Sequence, residues 1–197
     1  MHLVFDIFQG IGVAAAVGVR PFLPALAVGA LAAGDVELNL SHCDFSFVDS
    51  PIFLLAMMLG VVLFATLERR TTVQGDGTRR AIASALAGCA LVLGALLFAA
   101  ALCRGHYAIW PGIVGGIVCA GVGIAATQPL LRRVRSRLEG DAVGMLPLIA
   151  DGTATIGAVL AVLAPPVGII ILAALLWLLI AGRGRGEQKY AGLRILR

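Results

Sequence analysis

Gly18-Val19-Arg20-Pro21-Phe22-Leu23-Pro24 interrupts an apolar run from Leu3 to Gly34, and its reading decides the fold. Arg20 lies well inside that run, where Asp6 is the only other formal charge. A guanidinium is always ionised and costs several kcal/mol or more at membrane depth, so it needs a carboxylate, freed carbonyls, water or a lipid headgroup. Pro21 and Pro24 open the helix, which at that depth is tolerated only where the backbone is buried in protein or lines a cavity. The segment therefore predicts a polytopic membrane protein with a polar feature inside its bundle.

The rest of the chain has the composition that reading requires. Of its residues 60% are hydrophobic and 13% charged, against roughly 25% charged in soluble domains. The mean hydropathy is +0.99. Lys189 is the single lysine among 15 basic residues, a bias that with abundant Ala and Gly points to a GC-rich bacterial genome. The net charge of +4 is no nucleic-acid footprint, because the arginines flank apolar runs and few aromatics interleave with them. Met1-His2 supplies no basic n-region and no small-residue cleavage site follows, so no cleaved signal peptide is expected.

Working outward, further apolar runs cover Pro51–Leu67, Ala81–Cys103, Ala108–Leu131 and Leu146–Gly182. The last exceeds one crossing, for which about 20 residues suffice, and Pro165-Pro166 divides it into a predicted hairpin of Pro147–Ala164 and Val167–Ala181. The count is six spans, with the first run read as one interrupted crossing. Charge placement agrees: Arg69–Arg80, Arg132–Arg137 and Arg183–Arg197 are arginine-rich, whereas Asp35–Ser50 holds Asp35, Glu37, Asp44 and Asp49 without a Lys or Arg. Under the positive-inside rule, six spans with both termini cytoplasmic place all three clusters inside a bacterial inner membrane. The expected organisation is one transmembrane helical domain over 1–182 and a basic cytoplasmic tail over 183–197.

Gly10, Ala14 and Gly18 form one small-residue face, and Gly112, Gly116 and Ala120 form another. A common shift superposes the two sets and brings Asp49 onto Asp151. The pattern raises a 3+3 inverted repeat, as in transport folds. It is equally what close helix packing alone demands.

Several acidic residues compete for roles beside Arg20. Asp151, in Asp151-Gly152-Thr153-Ala154-Thr155, reads as an N-cap of the fifth span or as a partly buried carboxylate paired with Arg20. Asp49-Ser50-Pro51 reads as a helix start with Pro near the first helical position. Asp6 and Glu68 read as interfacial, and Tyr107, Trp110 and Trp177 as interfacial anchors. All of these acids remain candidates for a binding or transport pathway. Arg20 itself is open to a bland reading, a side chain snorkelling to headgroups.

Cys43, Cys89, Cys103 and Cys119 show no metal-ligand spacing with His2, His42 or His106, so neither a metal nor another cofactor is expected. His42-Cys43-Asp44 reads as an ordinary loop cluster. There is no H-E-x-x-H, G-x-S-x-G or Walker loop, and no catalytic residue is assigned. Asp151-Gly152 is superficially like the Asp-Gly of membrane phosphatidyltransferases, but no further aspartate follows within the membrane.

Gly18-Val19-Arg20-Pro21-Phe22-Leu23-Pro24-Ala25-Leu26-Ala27-Val28-Gly29 resembles the opening signature of the DUF4126 family of bacterial membrane proteins, roughly Gly-x-Arg-Ala-Phe-Leu-Pro before a small-residue helix. Phe47-Val48-Asp49-Ser50-Pro51, Leu67-Glu68 and the hairpin around Asp151–Pro166 extend the resemblance in order. The chain departs after Glu68, where Arg69-Arg70-Thr71-Thr72 replaces the family's usual Ala-Asp-Lys-Ile-Pro-Gly. The resemblance implies membrane topology and weight on Arg20, with no activity attached. Two functions stand: a small transporter or channel for a solute or ion with Arg20 at its pathway, and a non-transporting scaffold or lipid-interacting protein, its small-residue faces open to homo-oligomerisation.

Overall fold

The computed structural model describes residues 2–34, 45–70, 76–105, 107–135 and 142–191. These residues form α1 (His2–Val19), α2 (Phe22–Ala33), α3 (Pro51–Arg70), α4 (Asp76–Arg104), α5 (Ile109–Arg135), α6 (Ala142–Leu163) and α7 (Pro166–Ala191), with one 3-10 turn at Ser46–Val48. The fold is an all-helical bundle. Arg80–Arg104, Ile109–Leu131 and Met145–Leu163 are long and apolar enough to cross a membrane. Leu3–Val19, Phe22–Ala33, Pro51–Leu67 and Pro166–Gly182 are shorter apolar helices.

Small residues are inside and large ones outside. Ala14, Ala15, Ala16, Ala99, Ala120, Ala158 and Ala161 are buried, while Ile52, Val92, Trp110, Leu148, Trp177 and Ile180 are exposed. Lipid tails are as apolar as leucine, so bringing leucines together gains little there, and backbones close enough for dispersion contact hold the helices. Helix α1 lies at the centre, packed on α4, α5, α6 and α7. Both predicted small-residue faces lie at such contacts. A methyl group at Gly18 would sit 2.8 Å from Ala120 Cα, at Gly112 2.8 Å from Ala99 Cα, and at Gly116 2.6 Å from Ala95 Cα.

The first apolar run is two helices rather than one interrupted crossing. Pro21 is the N-cap of α2, at φ −75° and ψ −47°. Pro24 is not a break: it lies in the first turn of α2, where a missing N–H leaves no helical bond unmade. The hairpin at Pro165-Pro166 matches its expectation, with α6 ending at Leu163 and Pro166 opening α7. Helix α7 continues to Ala191, so the start of the basic segment prolongs it. Ser50 caps α3: Phe53 N donates to its Oγ at 3.3 Å, and that hydroxyl donates to Phe47 O at 2.6 Å. His42, Cys43 and Asp44 lie outside the described residues.

Helix directions follow from the pairings. Helix α1 is antiparallel to α4, since Asp6 pairs with Arg104, Gly10 abuts Phe98, and Gly18 shares a cavity with Ala87 and Ala90. It is parallel to α5, because both run antiparallel to α4: along α5, Gly112 meets Ala99, Gly116 meets Ala95 and Gly121 meets Leu91. It is antiparallel to α6, where Gly12 meets Ala161 and Arg20 meets Asp151. Helix α7 starts beside Phe8 and Gly12, and Arg133 Nη2 donates to Gly182 O at 2.8 Å near the end of α5. Helix α2 lies antiparallel to α3, with Phe22 stacked on Phe64 at 4.9 Å and Gly29 against Phe53 and Leu54.

Two corrections result. The start of α1 and the end of α7 lie at opposite ends of the bundle, so both termini cannot be cytoplasmic if α1 crosses the membrane; splitting the first run changes the parity. An inverted repeat needs α1 and α5 antiparallel, and they are parallel, so the shared small-residue spacing reflects packing. The arginines of α4's first turns, of α5's last turn and of α7's last turns share the end where Arg20 lies.

Candidate functional site

Arg20 ends the chain's first descent through the bundle. The proline after it stops α1 from continuing, and Arg20 N still donates to Ala16 O at 3.2 Å, closing the last turn. The side chain is 12% exposed and its Nε lies 3.3 Å from Asp151 Oδ1, the carboxylate being 30% exposed. Asp151 lies well inside α6, so it is not the N-cap expected as one alternative; α6 begins earlier, at Ala142, and carries Pro147 within it. The threonine hydroxyls point back along the helix instead of capping it: Thr155 Oγ1 donates to Asp151 O at 2.7 Å and Thr153 Oγ1 to Ile149 O at 2.9 Å.

Beside this pair opens a half-open cavity of about 160 Å³. The α1–α2 break supplies Gly18, Val19, Arg20 and Pro21, and α4 supplies Ala83, Leu86, Ala87 and Ala90. Helix α5 contributes Ile124, Thr127, Gln128 and Leu131, and α6 contributes Leu146 and Pro147. Thr127 is buried and donates its hydroxyl to Gly123 O at 2.7 Å. The remaining polar groups on the wall are Arg20 and Gln128. Such a cleft can hold a small molecule by one hydrogen-bonding end while the rest meets aliphatic side chains.

Two of the other sequence candidates, Asp49 and Asp6, are not brought to Arg20. Asp49 is half-buried before α3, at the opposite end of that helix from Phe64 and hence from Phe22. Glu68 falls in the last turns of α3, and its side chain lies outside the described residues. Asp6 is 2% exposed, paired with Arg104 Nη2 at the far end of α1. Sequence reasoning passed over Gln9, buried on the same helix, and Arg104. The legible signal for the Asp6–Arg104 pair was that Arg104 is the one Lys or Arg between the third and fourth runs. No group of three or more His, Cys, Asp or Glu able to hold a metal occurs among the described residues.

A bundle of apolar helices, three of them long enough to cross a bilayer, with its large side chains outward and an arginine–aspartate pair at a helix break, has the build of a multi-span membrane protein. The chain belongs to the DUF4126 family, a domain of unknown function, whose family model matches residues 7–183. No curated protein and no solved structure matches the chain.

Proposed function

We propose that this protein is a small transporter or channel of a bacterial inner membrane, whose solute is held beside Arg20. The observation that carries the reading is that Arg20, charge-paired with Asp151, also lines a half-open cavity at a break between two helices. The cavity suits a small solute with a carboxylate or other acceptor toward Arg20 and Gln128 and an apolar part toward Leu86, Leu131 and Leu146.

The test is flux into proteoliposomes for acetate, nitrate, chloride, urea and glycerol. Ala87→Phe fills the cavity from α4 without touching the ion pair. The expected result is saturable flux of at least one solute, reduced tenfold or more by that substitution. Wild-type vesicles no more permeable than empty ones to all five would overturn transport. They would favour the scaffold reading, which draws support from α3: it packs chiefly on α2 and leaves Ile52, Leu55, Leu59 and Leu63 exposed, a face suited to lipid or to a second copy.

The positive-inside rule orients the bundle with its arginine-rich end, and the cavity mouth, toward the cytoplasm. Helix α1 then begins outside and α7 ends inside. Single cysteines at 40 and 75, in a background without native cysteines, report this in intact cells. An impermeant maleimide is expected to label position 40 and spare 75; the reverse pattern would refute the orientation.

A further inference from the structure

Gln9 is 1% exposed, and neither its Oε1 nor its Nε2 has a hydrogen-bond partner among the described residues. A buried amide left that way is destabilising, and native structures pair such groups with protein, water or ligand. One turn earlier on the same face of α1, Asp6 is also buried, and its Oδ1 accepts from Arg104 Nη2. Its second oxygen lies under Gly105, where a methyl group would come within 2.8 Å of Oδ2. The Tyr107 ring packs against the same glycine. At this level α4 supplies buried Phe98 and Leu102.

We propose that Asp6 and Gln9 form a second binding site, for a small uncharged molecule that both donates and accepts hydrogen bonds: water, or a hydroxyl or amide solute of similar size. An amide offers donors and an acceptor together, and the carboxylate adds acceptors. Arg104 already balances the charge of Asp6, so an added free ion would bring uncompensated charge into an apolar surrounding. The absence of a side chain at Gly105 lets the Tyr107 ring and Asp6 Oδ2 both approach its backbone, which encloses this end of the site. This site lies roughly 16–21 Å along the α1 axis from Arg20, and it stands whether or not Arg20 serves transport.

The test uses the full chain in lipid bilayers with 15N-labelled glutamine and solid-state NMR that transfers magnetisation from water. Gln9→Leu identifies the Gln9 signal; should that variant not fold, removing Gln74, Gln128 and Gln188 in turn identifies it. The expected result is rapid transfer from water to the Gln9 side-chain amide. Saturable displacement of the signal by urea or glycerol would identify an organic occupant, and indifference to both would identify water. Absence of transfer together with indifference to both solutes overturns the proposal. Thermal unfolding in detergent gives a second reading. A filled site makes Gln9→Leu melt several degrees lower, whereas a dry amide makes it melt higher, because the apolar side chain removes an unsatisfied group; a rise overturns the proposal.

Discussion

Arg20→Ala is expected to lower the unfolding free energy by about 3 kcal/mol, and Asp151→Ala by somewhat less. Removing one partner deprives the other of a counter-charge, at a cost of about 3–5 kcal/mol in fully buried pairs. The partial exposure of Asp151 places this pair at the lower end, since its carboxylate retains some access to water when alone. The double variant also removes the carboxylate that lost its guanidinium and is therefore expected to be more stable than Arg20→Ala. Folded yield by size-exclusion chromatography and thermal unfolding in detergent measure both effects. A double variant whose loss equals or exceeds the sum of the single losses would mean that the two residues act separately.

Gly116→Val is the second large effect. A side chain there meets Ala95 Cα at 2.6 Å and the Gly94 carbonyl, both of them backbone, so α4 and α5 must separate. Overpacking typically costs about 1–3 kcal/mol, and backbone that cannot yield puts this site at the upper end or above. Two glycines supply the control. Nothing lies within 4 Å of a methyl group added at Gly88 or Gly152, both inside helices. Gly88→Ala and Gly152→Ala are expected to stabilise by about 0.5–1 kcal/mol through reduced unfolded-chain entropy. The four unfolding midpoints, measured in one detergent, check the ordering. If Gly116→Val melts with the two controls, small residues are not what sets the α4–α5 distance.

The helical class, the family, the break after Arg20 and the turn at Pro165-Pro166 were legible in the sequence, because each is a local or compositional property. Apolar runs of bilayer length fix helices, since a backbone in lipid must satisfy its own hydrogen bonds. Pro165-Pro166 fixes a turn because two successive residues lack the N–H a helix needs. Pro21 acts likewise, but a proline alone does not say whether the chain kinks onward or reverses. That choice set the parity of the bundle, and it depends on α2 finding α6 and α3 to pack on. Asp151 as the partner of Arg20 was one of two readings; the other failed because the helix start lies upstream, at Ala142, despite Pro147.

Tertiary structure alone decided which faces meet. Small-residue spacing marks a helix face capable of close approach, yet many faces in this chain carry it, and nothing local tells Gly18 to meet Ala120 rather than another alanine. It decided equally that Asp6, near the start of a helix and suited to an interface, is buried against Arg104, and that Gln9 is enclosed. Periodicity orients side chains around one axis; in lipid, where burying leucine gains little over leaving it in the bilayer, only the fit of whole helices against one another determines which polar groups end up inside.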